Sequence, residues 1–186
     1  ATAQVAPKTA APPPAAAKPP AKAPASGASE FQALSKRAQA AHEAQRLDEA
    51  LEAYQKALRL RPRWSEGRFA LGTVLYDLDR YEEARAEFRQ VTVQEPKSGA
   101  AWAFKGMCEF QLRRHEEALA DIQKGRLLGL ASNPALKSVA DYHAGILLVR
   151  FAQYEAAREI LSNFALVDQD SPGVIEGLGL AALRMP

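Results

Sequence analysis

YEEARAEF, at residues 81–88, is the second of four copies of one pattern in this chain. The other copies are LDEALEAY at 47–54, HEEALADI at 115–122 and YEAAREIL at 154–161. The first three are spaced 34 residues apart and the fourth follows after 39, so we place the five extra residues in a loop at 130–134. A period of this length indicates a repeat architecture, in which each repeat is one supersecondary unit that packs on its neighbours.

Small residues recur at two fixed positions of this repeat. We place the repeats at about 31–64, 65–98, 99–137 and 138–171, with a partial fifth at 172–186. The eighth position holds Ala38, Gly72, Gly106, Gly145 and Gly179, and the twentieth holds Ala50, Ala84, Ala118 and Ala157. Because the two positions fall in two separate helical patterns, each repeat is predicted to be a pair of helices that approach closely at these points.

Larger residues recur where the paired helices would interlock. The twenty-fourth position holds Tyr54, Phe88, Ile122 and Leu161. The second helix of each pair opens with acids such as Glu82 and Glu83, which suit the positive end of the helix dipole. Asp79 and Glu82 also have the spacing of a capping box. No strand-like alternation of useful length occurs, so the sequence predicts an all-α chain of helical pairs.

Residues 1–30 differ in composition from the rest of the chain. They hold twelve alanines and seven of the twelve prolines, and no apolar residue larger than Val5. We therefore predict a disordered Ala/Pro/Lys-rich linker, because too little apolar surface is present to offset the entropy of ordering. Such linkers resemble those that follow the signal peptide of exported bacterial proteins. Two origins of the start at Ala1 stay open, the way the chain was produced or cleavage of a signal peptide, and export to the periplasm or medium is slightly favoured over a cytoplasmic location.

The charge of the chain argues against a nucleic-acid partner. Three lysines and Glu30 lie in the linker, so residues 31–186 carry 21 of the 24 basic and 21 of the 22 acidic side chains. A neutral body has no long-range field that would concentrate a polyanion. The sequence also has no run of 18 apolar residues that would predict a membrane span, and its single cysteine, Cys108, cannot form an internal disulfide.

The repeat resembles that of the tetratricopeptide repeat family. The second repeat matches best, with the family's signature residues at Leu71, Gly72, Tyr81, Ala84, Phe88 and Pro96. The resemblance implies a right-handed superhelix of four helix pairs plus one extra helix, whose first helices line a concave groove. Arg37 and Lys105 depart from the family pattern, since they occupy a seventh position that is usually apolar.

The resemblance also implies which positions face the groove. These positions are polar in the first repeat and become aromatic or apolar along the chain, which is typical of peptide-binding surfaces. We predict a partner-binding groove lined by Phe69, Thr73, Tyr76, Ala103, Phe104, Met107, Phe110, Tyr142, His143 and Ile146. A second interpretation stays open, in which some of them, Tyr76 and Phe110 especially, pack against the next repeat and meet no ligand. Replacing Phe104 and Tyr142 with Ala is expected to weaken partner capture while leaving the melting temperature nearly unchanged.

One subtype of the family does not fit this sequence. Members that clamp the C-terminal carboxylates of a partner use Lys, Arg and Asn at set groove positions. Those positions hold Ser35, Gln39, Ala70, Ala100 and Phe104 here, so no clamp of that kind is expected.

No catalytic or metal-binding pattern is visible. His42, His115 and His143 each stand without a second His or Cys three or four residues away, and a metal site needs several converging ligands. Cys108 lies in a first-helix pattern and is expected to be a small buried residue rather than a nucleophile. We therefore expect no enzyme activity, no cofactor and no metal.

The most direct functional hypothesis is a non-enzymatic scaffold that holds a peptide or protein segment in its groove. Two alternatives stay open. Residues 172–186 are apolar around most of the predicted last helix, so this helix could join two copies into a homo-oligomer. The chain could also be the non-catalytic region of a longer multidomain protein. The identity of the partner is not encoded in any motif.

Overall fold

The computed structural model describes residues 25–165 together with positions 177, 179 and 182. Residues 25–165 form helices α1 (Ala25–Glu43), α2 (Leu47–Leu60), α3 (Ser65–Asp77), α4 (Tyr81–Gln94), α5 (Gly99–Gln111), α6 (His115–Leu128), α7 (Pro134–Arg150) and α8 (Tyr154–Ala165). No strand occurs among these residues. The prediction of an all-α chain of helical pairs is confirmed.

The helix pairs pack along the chain in order. Contacts join α1 with α2, α3 with α4, α5 with α6 and α7 with α8, and each pair also contacts the next through α2–α3, α4–α5 and α6–α7. First helices of successive pairs also meet, α3 with α5 and α5 with α7. The first helices therefore lie on the inner side of the curved stack, and the second helices lie on its outer side.

Close helix packing at the eighth position is confirmed. A Cβ atom added at Gly72 would lie 2.8 Å from the Phe88 ring, and one added at Gly106 would lie 2.7 Å from Ile122 Cγ1. The equivalent distance from Gly145 to Leu161 Cδ2 is 2.4 Å. In the second, third and fourth repeats the eighth position of the repeat is thus the hole that receives the twenty-fourth residue, and a side chain larger than hydrogen has no space there.

The turn inside each pair is a Schellman motif. Arg46 N–H donates to Ala41 O and Gln45 N–H donates to His42 O, both at 2.9 Å, and the other three turns repeat this pattern. The residue that reverses the chain takes a left-handed conformation in each turn: Gln45 (φ 56°), Asp79 (φ 58°), Arg113 (φ 62°) and Ala152 (φ 57°).

The predicted capping box is therefore wrong. Asp79 reverses the chain before α4 instead of capping it, and its carboxylate accepts a hydrogen bond of 2.5 Å from Tyr81 Oη. This bond, with burial as a smaller cause, raises the pKa of Tyr81 to about 12. The N-cap residue of α4 is Arg80, whose side chain makes no capping bond.

The fourth repeat departs from the predicted boundary. α7 begins at Pro134 and has 17 residues, against 13 in α3 and α5, so residues 134–137 form an extra helical turn before the predicted start of the fourth repeat. The prediction of a loop at 130–134 is wrong at its carboxyl end. Asn133 and Pro134 supply a strong start signal, because Asn133 Oδ1 accepts from Leu136 N–H at 3.0 Å and proline suits the first helical position.

The predicted linker also ends earlier than expected. α1 begins at Ala25, so residues 25–30 are helical and the prediction of disorder is wrong for them. Pro24 is the last proline of this region. Because no proline follows it before the repeat, residues 25–30 can continue the first helix of the repeat towards the amino terminus. Residues 1–24 lie outside the part of the chain that the structure describes.

The left-handed turn predicts a stabilising substitution. Ala152 holds φ 57°, a conformation that costs an L-residue roughly 1–2 kcal/mol and glycine little. Because glycine also loses more chain entropy on folding, we expect Ala152→Gly to raise the free energy of unfolding by about 0.5 kcal/mol. Urea denaturation measures this change. Ala156→Gly, inside α8, is the matched control and should lower the free energy by about 1 kcal/mol. A loss of stability in both variants would contradict the prediction.

Candidate functional site

Aromatic side chains from neighbouring first helices meet on the inner side of the stack. Phe69 and Tyr76 of α3 contact Phe104 of α5, with ring centroids 5.4 and 6.2 Å apart and ring planes close to perpendicular. We call these three residues the α3–α5 cluster. The buried ring of Phe88 lies behind it and stacks on Phe104 at 5.1 Å. The three cluster residues are half-buried, so each one joins two repeats while part of its surface stays exposed.

A second aromatic group joins the next two first helices. Phe110 of α5 meets His143 of α7 at 4.6 Å between ring centroids, and His143 meets Tyr142 at 5.5 Å. We call Phe110, Tyr142 and His143 the α5–α7 cluster. All three are half-buried. Phe110 and Tyr76 thus pack between repeats, as the second interpretation allowed, without being removed from the surface.

His143 has one ring nitrogen fixed by its own helix. Its Nδ1 lies 2.8 Å from the Val139 carbonyl oxygen, which can only accept, so Nδ1 carries the proton and neutral His143 keeps Nε2 as an acceptor. Burial lowers the pKa of His143, and the hydrogen bond to Val139 raises it by less. The imidazole is therefore neutral near pH 7 and adds an uncharged acceptor to the aromatic surface.

Two predicted groove residues do not reach the surface. Ala103 and Met107 are 0% and 2% exposed and belong to the core between α5, α6 and α7, so the prediction that they contact a partner fails in this structure. A close approach of α6 explains the burial of Ala103, because a Cβ at Gly125 would lie 2.7 Å from Ala103 N. Thr73 and Ile146 are half-buried, and the Thr73 hydroxyl donates to Ala70 O at 2.8 Å.

The opposite end of the groove carries polar side chains of α1 beside aromatic and apolar ones. A cleft of about 330 Å³ lies between the first two repeats, lined among others by Ser35, Lys36, Gln39 and Trp64. His42 Nε2 lies 3.7 Å from Asp77 Oδ2 nearby on α1 and α3. Tyr54 and Ala70 also line this cleft together with Trp64, so a change from a polar to an aromatic surface along the inner helices stays a prediction.

A cationic cleft that the sequence analysis did not single out adjoins the α5–α7 cluster. It has a volume of about 450 Å³ and lies between the turns of the third and fourth pairs, where Arg113, His115 and Arg150 line it. Burial, followed by the nearby charges of Arg150 and Arg113, lowers the pKa of His115. Arg150 could have been recognised in the sequence as a cation without a local partner, because no acidic residue lies within four positions on either side of it.

Three further expectations from the sequence concern residues outside the groove. Cys108 is fully buried, as predicted, and desolvation raises the pKa of its thiol to about 12, so the thiolate is not available near neutral pH. None of the helices that the structure describes is long and apolar enough to cross a membrane. The predicted docking helix at 172–186 lies outside the described residues, except for three helical positions.

Repeated helical pairs with an aromatic inner surface define a class of solenoid interaction domains. Tetratricopeptide repeat profiles match residues 31–64 and 69–126, about half of the chain. The chain belongs to the tetratricopeptide repeat family, and it shares with that family the organisation of a protein-interaction scaffold. A search of curated proteins finds no sequence match.

Solved structures with this fold are similar to most of the chain. A MamA protein aligns over 84% of this chain and 82% of its own, at 18% identity and a TM-score of 0.71. A tetratricopeptide repeat protein from Parabacteroides merdae aligns over 82% of this chain and 59% of its own, at 19% identity and a TM-score of 0.65. The first such domain of Spaghetti, bound to the HSP90 peptide SRMEEVD, aligns over 67% and 94%, at 17% identity and a TM-score of 0.59. These likenesses confirm the superhelical fold.

Proposed function

We propose that this chain binds a peptide or an extended segment of a partner protein in its inner groove, without catalysing a reaction. The observation that carries the proposal is the pair of half-buried aromatic clusters on the inner helices. Aromatic side chains bury much area on binding at a small cost in side-chain entropy. The groove therefore has the means to bind apolar side chains of a partner.

The mode of binding differs from that of clamp-type relatives. The Spaghetti domain is seen with the HSP90 peptide SRMEEVD, which has Asp at its carboxyl end. In this chain the positions at which clamp-type members carry Lys, Arg and Asn hold Ser35, Gln39, Ala70, Ala100 and Phe104. Phe104 is packed among three other rings. We therefore place recognition on side chains within a partner segment and not on a C-terminal carboxylate.

Tyr142 is the residue that best tests the proposal. We expect Tyr142→Ala to weaken binding at least tenfold, because Tyr142 lies on the inner side of α7 at the edge of the α5–α7 cluster. The probe is a set of twelve-residue peptides selected from a random phage-displayed library on the full chain, with affinities measured by titration calorimetry. Phe104→Ala is unsuitable for the test. Unlike the expectation from the sequence, it should lower the melting temperature, because the variant loses the packing of Phe104 against Phe69, Tyr76 and Phe88.

Leu127→Ala is the matched control for Tyr142→Ala. Leu127 is 88% exposed on α6, one of the outer helices, so its removal should change neither peptide binding nor the melting temperature. Equal affinities of the wild type and Tyr142→Ala, with both proteins folded, would show that the peptides do not use the groove. Failure of the library to yield any specific peptide would count against peptide binding itself.

A further inference from the structure

Two arginines at the cationic cleft lack a carboxylate partner. Arg113 and Arg150 both line the cleft, and no carboxylate among the described residues lies within ion-pair distance of either guanidinium. Arg114, beside them, is already occupied, because it donates to Glu82 at 2.7 Å. Both Arg113 and Arg150 act on the same group, since their charges help to lower the pKa of His115. Two exposed guanidiniums that converge on one cleft are suited to an anion.

The cleft is continuous with the proposed groove. The Phe110 ring lies 4.6 Å from His143 in the α5–α7 cluster and 6.0 Å from His115 at the cleft, measured between ring centroids. Along α7, Arg150 follows His143 by seven residues on the same inner side, a rise of roughly 10.5 Å. An extended peptide covers this distance in about three residues.

Two carboxylates also line the cleft, and their negative charge limits which anions can bind there. Glu116 and Glu117 line the same cleft from the first turn of α6. Both are exposed and neither forms an ion pair with Arg113 or Arg150. The cleft therefore does not attract every anion by net charge. It favours an anion that another contact already holds next to the guanidiniums.

We propose that the partner segment carries an acidic side chain about three residues from an apolar one, in either chain direction. The apolar side chain packs on the α5–α7 cluster, and the carboxylate accepts hydrogen bonds from Arg113 and Arg150. This inference rests on the proposed function, and it names the chemistry of the partner. The basic residues involved lie at the turns of the third and fourth pairs, away from the positions of the C-terminal clamp.

The phage-displayed library provides the test. We expect peptides selected on the full chain to be enriched in Asp or Glu three residues from an aromatic or aliphatic residue, relative to the unselected library. In the tightest such peptide, exchange of the acidic residue for its amide should weaken binding about tenfold. In the chain, Arg113→Gln with Arg150→Gln should remove this difference between the two peptides. Gln at position 113 is compatible with the turn, because Gln45 takes the same left-handed conformation in the first repeat.

The controls separate the charge effect from folding and from groove binding. Arg158→Gln removes an exposed outer arginine that pairs with Glu155, and it should leave the preference for the acidic peptide unchanged. Glu116→Gln with Glu117→Gln should strengthen binding of the acidic peptide. Selected peptides that depend on Tyr142 but show no acidic enrichment would overturn this inference and leave the proposed function standing. Failure to select any peptide would overturn both, as would peptides that bind Tyr142→Ala and the wild type equally well.

Discussion

Gly106→Ala is expected to lower the free energy of unfolding by about 3 kcal/mol, although the change adds only one methyl group. The added Cβ would lie 2.7 Å from Ile122 Cγ1, 2.9 Å from Ala118 O and 2.9 Å from Ile122 N. Two of these neighbours are backbone atoms of α6, so no rotamer change can relieve the contact. α5 and α6 would have to separate, and the core between them would lose packing.

Gly27→Ala is the matched control. Gly27 lies in α1, where an added Cβ would meet nothing within 4 Å. Alanine is the better helix former, so this variant should be more stable than the wild type by up to about 1 kcal/mol. Denaturation by guanidinium, followed by circular dichroism, compares the two. If Gly106→Ala were as stable as Gly27→Ala, the helices of the third pair could not approach as closely as the structure shows.

The repeat positions that determine these contacts were readable in the sequence. The same period spaces the glycines of the eighth position and the large residues that pack against them, so both partners of each contact can be found by comparing repeats. These glycines are Gly72, Gly106 and Gly145. The pattern therefore predicted the helical pairs and their close approach. It also predicted that the inner surface becomes aromatic, since the same period places those residues on the first helices.

What the repeat could not predict depends on residues that depart from it. Asn133 and Pro134 begin α7 a turn early because of a local cap, which a comparison of repeats does not contain. Ala103 is buried because α6 approaches α5 closely at Gly125, and Met107 is buried in the core formed by α5, α6 and α7. The cationic cleft is formed by two turns from different repeats, so its charges are separated by 37 residues in the chain.

The charged residue at the seventh position of the third repeat also has a structural reason. Lys105 stands where the pattern expects an apolar side chain, and it forms ion pairs with Glu109 and with Asp121 of α6. Arg37 in the first repeat similarly pairs with Glu49 of α2 at 2.8 Å. At both positions an ion pair between the two helices of a repeat replaces apolar packing.

Glu109→Leu is expected to lower the free energy of unfolding by about 3 kcal/mol, because it breaks a buried ion network. Glu109 is 0% exposed, and its Oε1 lies 2.9 Å from Arg85 Nε and 3.0 Å from Lys105 Nζ. Lys105 keeps Asp121 as a partner after the change, whereas the largely buried Arg85 keeps none. The cost arises from the unpaired Arg85 and not from the loss of attraction alone.

A second substitution should recover most of this loss. In Glu109→Leu with Arg85→Leu the unpaired charge is gone, and apolar side chains of similar size commonly replace a buried ion pair without loss of stability. Glu155→Ala is the control for a surface pair, since Glu155 is 74% exposed beside Arg158, and it should change stability by less than about 1 kcal/mol. Equal losses in the single and double variants would show that the network does not act through Arg85.

The pH dependence gives an independent measurement on the same network. Burial raises the pKa of Glu109, with a further contribution from Asp121, and Arg85 and Lys105 oppose this rise. The folded protein therefore binds a proton at Glu109 more readily than the unfolded chain does. By linkage, Glu109 contributes most to stability below its unfolded pKa near 4.5, and this contribution decreases as the pH rises through its folded pKa. We expect the stability of the wild type relative to the double variant to fall as pH increases above 4.5, measured by urea denaturation at constant ionic strength. A relative stability that rises over this range would mean that attraction to Arg85 and Lys105 outweighs the desolvation of the carboxylate.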